Sequence, residues 1–304
     1  RISWDEGRPS VERVIEQPWR LVDELEHSWG RPGTVAAKMV ALIVYKALRK
    51  CGVAGNLPEW TPFQIMLDVS TLLLLSRSTW NIVGETPSRH VRWQVTLAAA
   101  ALWAFSPGCV YWSLRFMPPV YAACGLAVTL SLLQAALTRG PGTWFAAGVV
   151  AGMTFMTYPG TYAILGSLAL TYSITQLSLH KGWGVLVIAF FGGVTPVVLM
   201  EVGIRLAFIR LGRTGYGFVA QLSDLKNTIN HGRFADAPYA IAQYAYNIDD
   251  YVVLLLGLLC VMSAICVRWG FRPVSWAFVM SYGYWVVNSA VLHREVIYDR
   301  MLVL

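Results

Sequence analysis

Charge is what this sequence has least of. Asp, Glu, Lys and Arg together make up 13% of its 304 residues, about half the share in an ordinary soluble domain. So few charges cannot cover a soluble surface, and the expectation is a chain for which lipid is much of the solvent. Metal-binding cysteine spacing is absent as well. Cys51, Cys109, Cys124, Cys260 and Cys266 include no CxxC pair, and those in apolar runs read as small buried hydrophobes. There is no Walker loop, dinucleotide fingerprint or HExxH, so phosphate-loop, nicotinamide and zinc-protease chemistries lack their motifs. There is no internal repeat, low-complexity tract or pair of similarly broken halves, which argues against a repeat-built transporter.

What is present is apolar and aromatic. Hydrophobic residues make up 56%, with 13 Trp and 14 Tyr, and mean hydropathy is +0.51. Amphipathic rings in that number suit two water–lipid interfaces. The net charge of +7 reads as loop charge facing anionic lipid, with no nucleic-acid partner. The sequence opens at Arg1 inside a polar stretch and closes at Leu304 as an apolar run begins. At least one span is expected before residue 1, and more after 304.

The expected fold class is all-α, a polytopic transmembrane bundle with interfacial helices and outside loops. Residues 1–33 are polar and hold Pro9, Pro18 and Pro32. Residues 34–50 are apolar but carry Lys38, Lys46, Arg49 and Lys50, the pattern of an amphipathic helix lying in the interface. Spans are expected at about 61–76, 93–110, 119–137, 143–158, 161–178, 184–204, 251–267 and 273–291, each near the ~17–25 residues that cross a bilayer. The chain then divides into an outside segment (1–60), core spans (61–204), an outside loop (205–250) and further spans (251–304). Pro107, Pro159 and Pro196 fall in or beside spans, where membrane helices tolerate them. Gly148 and Gly152, four apart, permit close helix packing in lipid.

Loop charge gives an orientation. With the first segment outside, the inside loops hold Arg77, Arg89, Arg92, Arg139, Lys181, Arg268 and Arg272, as the positive-inside rule asks. This parity holds only if 34–50 does not span. The outside face then gathers residues 1–33, the polar loop 205–250, the turn near 292–300, and Arg115.

Several residues on that face could carry chemistry. Asp5 and Glu6 adjoin Trp4; they could be a general base with a helper, or a cation site. The plainer reading is a solvated acidic pair near a helix start. Arg115 sits among aromatics and either snorkels or binds a phosphate or carboxylate. His293, Arg294 and Glu295, with Asp299 and Arg300, form a third cluster that could hold a lipid phosphate or pair its own charges. Asp68 and Glu201 fall in or near spans, where a carboxylate is costly and reads as functional by default.

In this order the features resemble the GT-C membrane glycosyltransferases, in particular the protein O-mannosyltransferase and aminoarabinose transferase group. Asp5-Glu6 looks like that family's opening acidic pair. The Arg31-Pro32-Gly33 start and the run to Lys50 resemble its amphipathic segment, and Leu72 to Arg77 its basic inner end. Arg115 matches its outer Arg, with Pro119 near a position where the family often has an acid. Gly148, Gly152 and Thr157-Tyr158-Pro159-Gly160 resemble its Gly-rich span and turn, and His293 to Arg300 its late outside turn. The Gly-Asp-Trp stretch often seen after the acidic pair is absent.

The resemblance implies an inverting transferase that takes a sugar from a polyprenyl-phosphate carrier to a lipid, glycan or protein acceptor. Asp5 would be the base, with Glu6 beside it. Arg115, His293, Arg294 and Arg300 would hold the lipid phosphate. Donor energy stored in the sugar–phosphate bond removes the need for a nucleotide-binding domain. No cofactor is indicated, and a divalent cation at Asp5 and Glu6 stays open. Two rivals remain: a transporter or channel, and an inactive lipid-binding scaffold.

Overall fold

The computed structural model describes residues 46–47, 50–52, 61–83, 88–105, 118–158, 161–179, 182–210, 212 and 273–286. Among the described residues there are seven long helices and no strand. They are α1 (Thr61–Val83), α2 (Arg89–Phe105), α3 (Pro118–Ala136), α4 (Pro141–Thr157), α5 (Tyr162–Ser178), α6 (Gly184–Arg210) and α7 (Pro273–Val286). The all-α class expected from the apolar runs is what the described residues adopt.

Proline opens three of these helices. Pro118 and Pro119 begin α3, Pro141 begins α4 and Pro273 begins α7. A first-turn N–H has no intrahelical acceptor, so proline there sacrifices no hydrogen bond. Three expected boundaries need correction. α2 begins at Arg89 instead of near 93, so Arg89 and Arg92 lie within a helix and not in a loop. α1 runs on to Val83 instead of stopping near 76, so Arg77 lies within a helix and not in a loop. α6 continues to Arg210, into the expected 205–250 loop. The added turns of α1 and α6 contain no proline, so nothing breaks the backbone hydrogen-bond pattern where the apolar run ends.

Length also distinguishes the helices. α6, with 27 residues, is the one helix among those described that is long and apolar enough to cross a membrane; α3 has a shorter apolar stretch, Tyr121–Ala136. α2, α4 and α5 have 17 residues each, about 26 Å at 1.5 Å per residue, against a hydrocarbon layer of about 30 Å. The expected interfacial helix contributes only Lys46, Ala47 and Lys50 to the described residues, all helical and exposed. The expected span 251–267 lies outside them.

The packing fixes helix directions. Thr71 meets Cys124 and Ser78 meets Ser131, so α1 and α3 are parallel. Gly125 lies against Thr154, while Leu133 and Ala136 share a core with Trp144 and Ala147, so α3 and α4 are antiparallel. Gly148 faces Ala189 and Gly152 faces Pro196, so α4 and α6 are parallel. Tyr162 meets Tyr284, while Leu168 and Tyr172 pack with Ala277, so α5 and α7 are antiparallel. A tight turn, with Thr161 N–H donating to Tyr158 O at 3.0 Å, returns the chain from α4 into α5. The bundle therefore has a Thr61 end, where α1, α3 and α5 begin and α4, α6 and α7 finish. The opposite end, named here for Arg92, holds the α1–α2 connection.

Close packing of α4 on α6 depends on missing side chains. A Cβ on Gly148 would collide with the Ala189 carbonyl and come 2.9 Å from the Gly193 nitrogen. One on Gly152 would collide with the Gly193 carbonyl and come 2.8 Å from Pro196 Cγ. Gly192 meets the Phe145 backbone in the same way. The four-residue glycine spacing read from the sequence is a packing seam.

The packed interior holds hydroxyls beside its apolar residues, and many large apolar side chains are exposed. Thr71, Ser78, Thr129, Thr154, Thr171 and Ser281 are buried, whereas Leu73, Leu97, Phe105, Phe190, Leu199 and Ile209 are exposed. All of these hydroxyls but that of Ser78, which meets Ser131 of α3, turn back on their own helices. Thr71 donates to Leu67 O, Thr129 to Gly125 O, Thr154 to Val150 O and Ser281 to Ala277 O, all at 2.7–2.8 Å. Four-residue back-bonding satisfies a hydroxyl without water.

Arg92 closes the α1–α2 hairpin. Its Nε donates to Trp80 O at 2.8 Å, its guanidinium lies 4.0 Å over the Trp80 ring, and Trp93 packs at 5.1 Å from that ring. A late carbonyl of α1 thus gains a cationic donor, as the helix dipole favours. Arg92→Leu is expected to cost about 2 kcal/mol through the lost charged hydrogen bond and ring contact. A lowered thermal unfolding midpoint would report it, and an unchanged midpoint would show that the hairpin does not depend on this residue.

Candidate functional site

The six residues selected from the sequence, Asp5, Glu6, Arg115, His293, Arg294 and Arg300, all lie outside the described residues. Their attachment points do not. Residues 1–60 lead into Thr61 of α1. Arg115 stands three positions before Pro118 of α3, and residues 293–300 follow Val286, the last residue of α7. The start of α1, the start of α3 and the finish of α7 share the Thr61 end of the bundle.

An aromatic and hydroxyl group lies at that end. The Tyr162 and Tyr284 hydroxyls are 2.8 Å apart, with their rings edge to face at 5.6 Å. Thr161, fully buried, donates to Tyr158 O at 2.8 Å. The bond between Tyr162 and Tyr284 joins residues 122 positions apart, and no local pattern in the sequence announces it.

The two carboxylates expected in or near spans differ. Glu201 Oε1 accepts from Arg205 Nε at 2.7 Å, one turn along α6. That pairing accounts for its place in an apolar helix, and an Arg205 side chain that is 66% exposed makes the pair worth a few tenths of a kcal/mol, about the surface value. Asp68 is half-buried on α1, near the Cys124 thiol, which is also hydrogen-bonded to Thr71. Asp68 is therefore part of the α1–α3 contact.

That contact continues toward the Arg92 end as a polar ladder that matches no catalytic or binding motif in the sequence. Ser78 Oγ and Ser131 Oγ are 3.1 Å apart. The Gln134 amide donates to Ser78 O at 3.4 Å, and the Gln134 side chain is hydrogen-bonded to Tyr172 of α5. Buried amide oxygens of Gln134 and Gln176 have no hydrogen-bond partner among the described residues. A signal was available: Thr71 and Ser78, like Cys124 and Ser131, are seven residues apart, two helical turns on one face.

Among the described residues no three His, Cys, Asp or Glu side chains gather as a metal site. The open question of a cation at Asp5 and Glu6 falls on residues outside them. No family model matches this chain, and comparison with curated proteins and with solved structures finds no similar one.

Proposed function

We propose that this chain is a multi-pass membrane glycosyltransferase. It would move a sugar from a polyprenyl-phosphate carrier to a hydroxyl or lipid acceptor at the outer or luminal face. The observation that carries the reading is the common end of the bundle. All three segments that hold the candidate residues join helices there, so a base and several cations can converge on one membrane surface.

The exposed apolar sides of α1, α2 and α6 and the back-bonded buried hydroxyls support lipid as the solvent. The basic character of the Arg92 end, with Arg77, Arg89, Arg92 and Arg139, supports an inside assignment for it. The Thr61 end is then outside. In a bacterium the membrane would be the plasma or inner membrane, and in a eukaryote that of the endoplasmic reticulum. A transporter would need polar groups free to line a path. Thr71, Thr129, Thr154, Thr171 and Ser281 are occupied by their own helices, which gives a transporter few free hydroxyls to line a path with.

In the proposed reaction the acceptor hydroxyl attacks the anomeric carbon while Asp5 takes its proton. The carbon–oxygen bond to the lipid phosphate breaks on the opposite side, so the configuration inverts. Negative charge developing on the departing phosphate needs fixed cations, the role given to Arg115, His293, Arg294 and Arg300. Glu6 stands beside the base. The experiment is transfer from a pool of labelled polyprenyl-phosphate sugars by the full-length protein in membranes. Neither transfer nor donor hydrolysis with any donor would overturn the enzyme reading.

Topology is tested separately. In a cysteine-free background, Asp5→Cys and Arg115→Cys are both expected to react with a membrane-impermeant maleimide from the same side. Labelling from opposite sides would break the site apart.

A further inference from the structure

We propose that the junction of α1, α3 and α5 binds ordered water through the amide oxygens of Gln134 and Gln176, next to the Tyr172 hydroxyl. The site stands on helix contacts alone and is independent of sugar transfer. Those contacts are direct. Ser78 Oγ and Ser131 Oγ are 3.1 Å apart, Gln134 Nε2 donates to Ser78 O at 3.4 Å, and the Gln134 side chain is hydrogen-bonded to Tyr172. Three helices thus meet around one amide. Gln176 follows Tyr172 by four residues on α5, so both project from one face of that helix.

Hydrogen-bonding capacity is left over at this junction. Gln134 Oε1 and Gln176 Oε1 are buried and have no hydrogen-bond partner among the described residues. Gln176 and Tyr172 are each 2% exposed, so bulk solvent does not serve them, and an orphaned amide oxygen carries the full desolvation penalty of the group. Turning the Gln134 amide over does not remove the need. Its oxygen would then face the Ser78 carbonyl, and an NH2 group would be orphaned in its place. With Oε1 unpartnered, the bond to Tyr172 engages Gln134 Nε2 and the phenol oxygen accepts, which leaves the phenol proton to give. The serine pair likewise shares one proton and keeps one. A buried water typically makes about three hydrogen bonds. Here it donates to Gln134 Oε1 and accepts from the Tyr172 or serine hydroxyls, and Gln176 Oε1 takes a second donor on the same face of α5. The junction mixes donors with acceptors, which suits water better than a metal cation, whose ligands all present lone pairs. The route in is short. Gln134 and Gln176 each stand two residues before the finish of their helix, at Ala136 and Ser178, and both helices finish at the Arg92 end.

The test is hydroxyl-radical footprinting by X-ray radiolysis of the full chain in neutral detergent, read by mass spectrometry, with thermal midpoints beside it. Radiolysis of a bound water labels the side chain it touches, so Tyr172 is expected to be hydroxylated despite its burial. Trp144, equally buried in the same core cluster, is expected to stay unlabelled. In the double variant Gln134→Met, Gln176→Met the Tyr172 label should be lost. Gln176→Met alone should lower the midpoint, because it removes an acceptor that water satisfies; were that oxygen orphaned, an apolar side chain of similar shape would raise it. No label on Tyr172, equal label on Trp144, a label that survives the double variant, or a midpoint raised or unchanged by Gln176→Met overturns the proposal. So does a wild-type midpoint that is higher in sodium chloride than in choline chloride when that of Gln176→Met is not, which would give the amide oxygen to a cation. The wild-type labelling decides by itself if a variant does not fold.

Discussion

Asp5→Asn is expected to lower sugar transfer by ~10²–10⁴-fold, the usual contribution of a positioned general base. Asn keeps the size and one acceptor oxygen of Asp but cannot take a proton near neutral pH. The acceptor hydroxyl would then attack without losing its proton in the same step. Donor binding should persist, because the phosphate contacts are assigned to Arg115, His293, Arg294 and Arg300. The measurement is initial rate over a range of donor concentration, wild type beside variant. A fall in kcat at unchanged KM is the signature of lost base catalysis. A rise in KM at constant kcat would instead make Asp5 a binding residue, and an unaffected rate would remove it from the site. Equal thermal midpoints in the two proteins would exclude misfolding as the cause.

The second large effect is structural. Gly148→Leu is expected to destabilise the bundle by about 3 kcal/mol, the upper part of the usual range for an overpacked core. The obstacles are backbone atoms, the Ala189 carbonyl and the Gly193 nitrogen, and a backbone cannot rotate aside as a long side chain can. α4 and α6 would have to separate. If lipid surrounds the bundle, as proposed, that separation has little hydrophobic cost and the loss of packing is felt in full. Gly166 supplies the control. It lies exposed on α5 with nothing within 4 Å of an added Cβ, and Gly166→Ala should stabilise by about 0.5–1 kcal/mol through the backbone alone. Thermal unfolding of both variants decides the matter. Equal midpoints for Gly148→Leu and Gly166→Ala would show that α4 and α6 do not pack on this seam.

Much of the scaffold is legible in the residue order. The all-helical class follows from apolar runs bounded by Pro and charge, and the start positions of α3, α4 and α7 follow from Pro118, Pro141 and Pro273. The seam at Gly148 and Gly152 is legible too, because small residues one turn apart leave a groove whatever lies opposite. Helix finishes are less legible. α1 passes its expected limit by two turns because Arg77 and Ser78 are compatible with a helix, and apolarity ends before helicity does. Glu201 looks functional in sequence and is paired in space, because the helix continues through Arg205 one turn later, past the end of the apolar run.

Sequence alone therefore determined the helical class of the described segments and the glycine seam of α4, because those depend on local backbone preference and side-chain size. It also singled out Asp5, Glu6, Arg115, His293, Arg294 and Arg300 by order and type. Only the tertiary structure decided which helices are neighbours, that α1 and α3 run parallel, and that Tyr162 meets Tyr284. The same holds for the shared end at which the segments bearing the candidate residues join the bundle. Those facts depend on contacts between residues far apart in the chain, set by how whole helix surfaces fit together, and no local period encodes them.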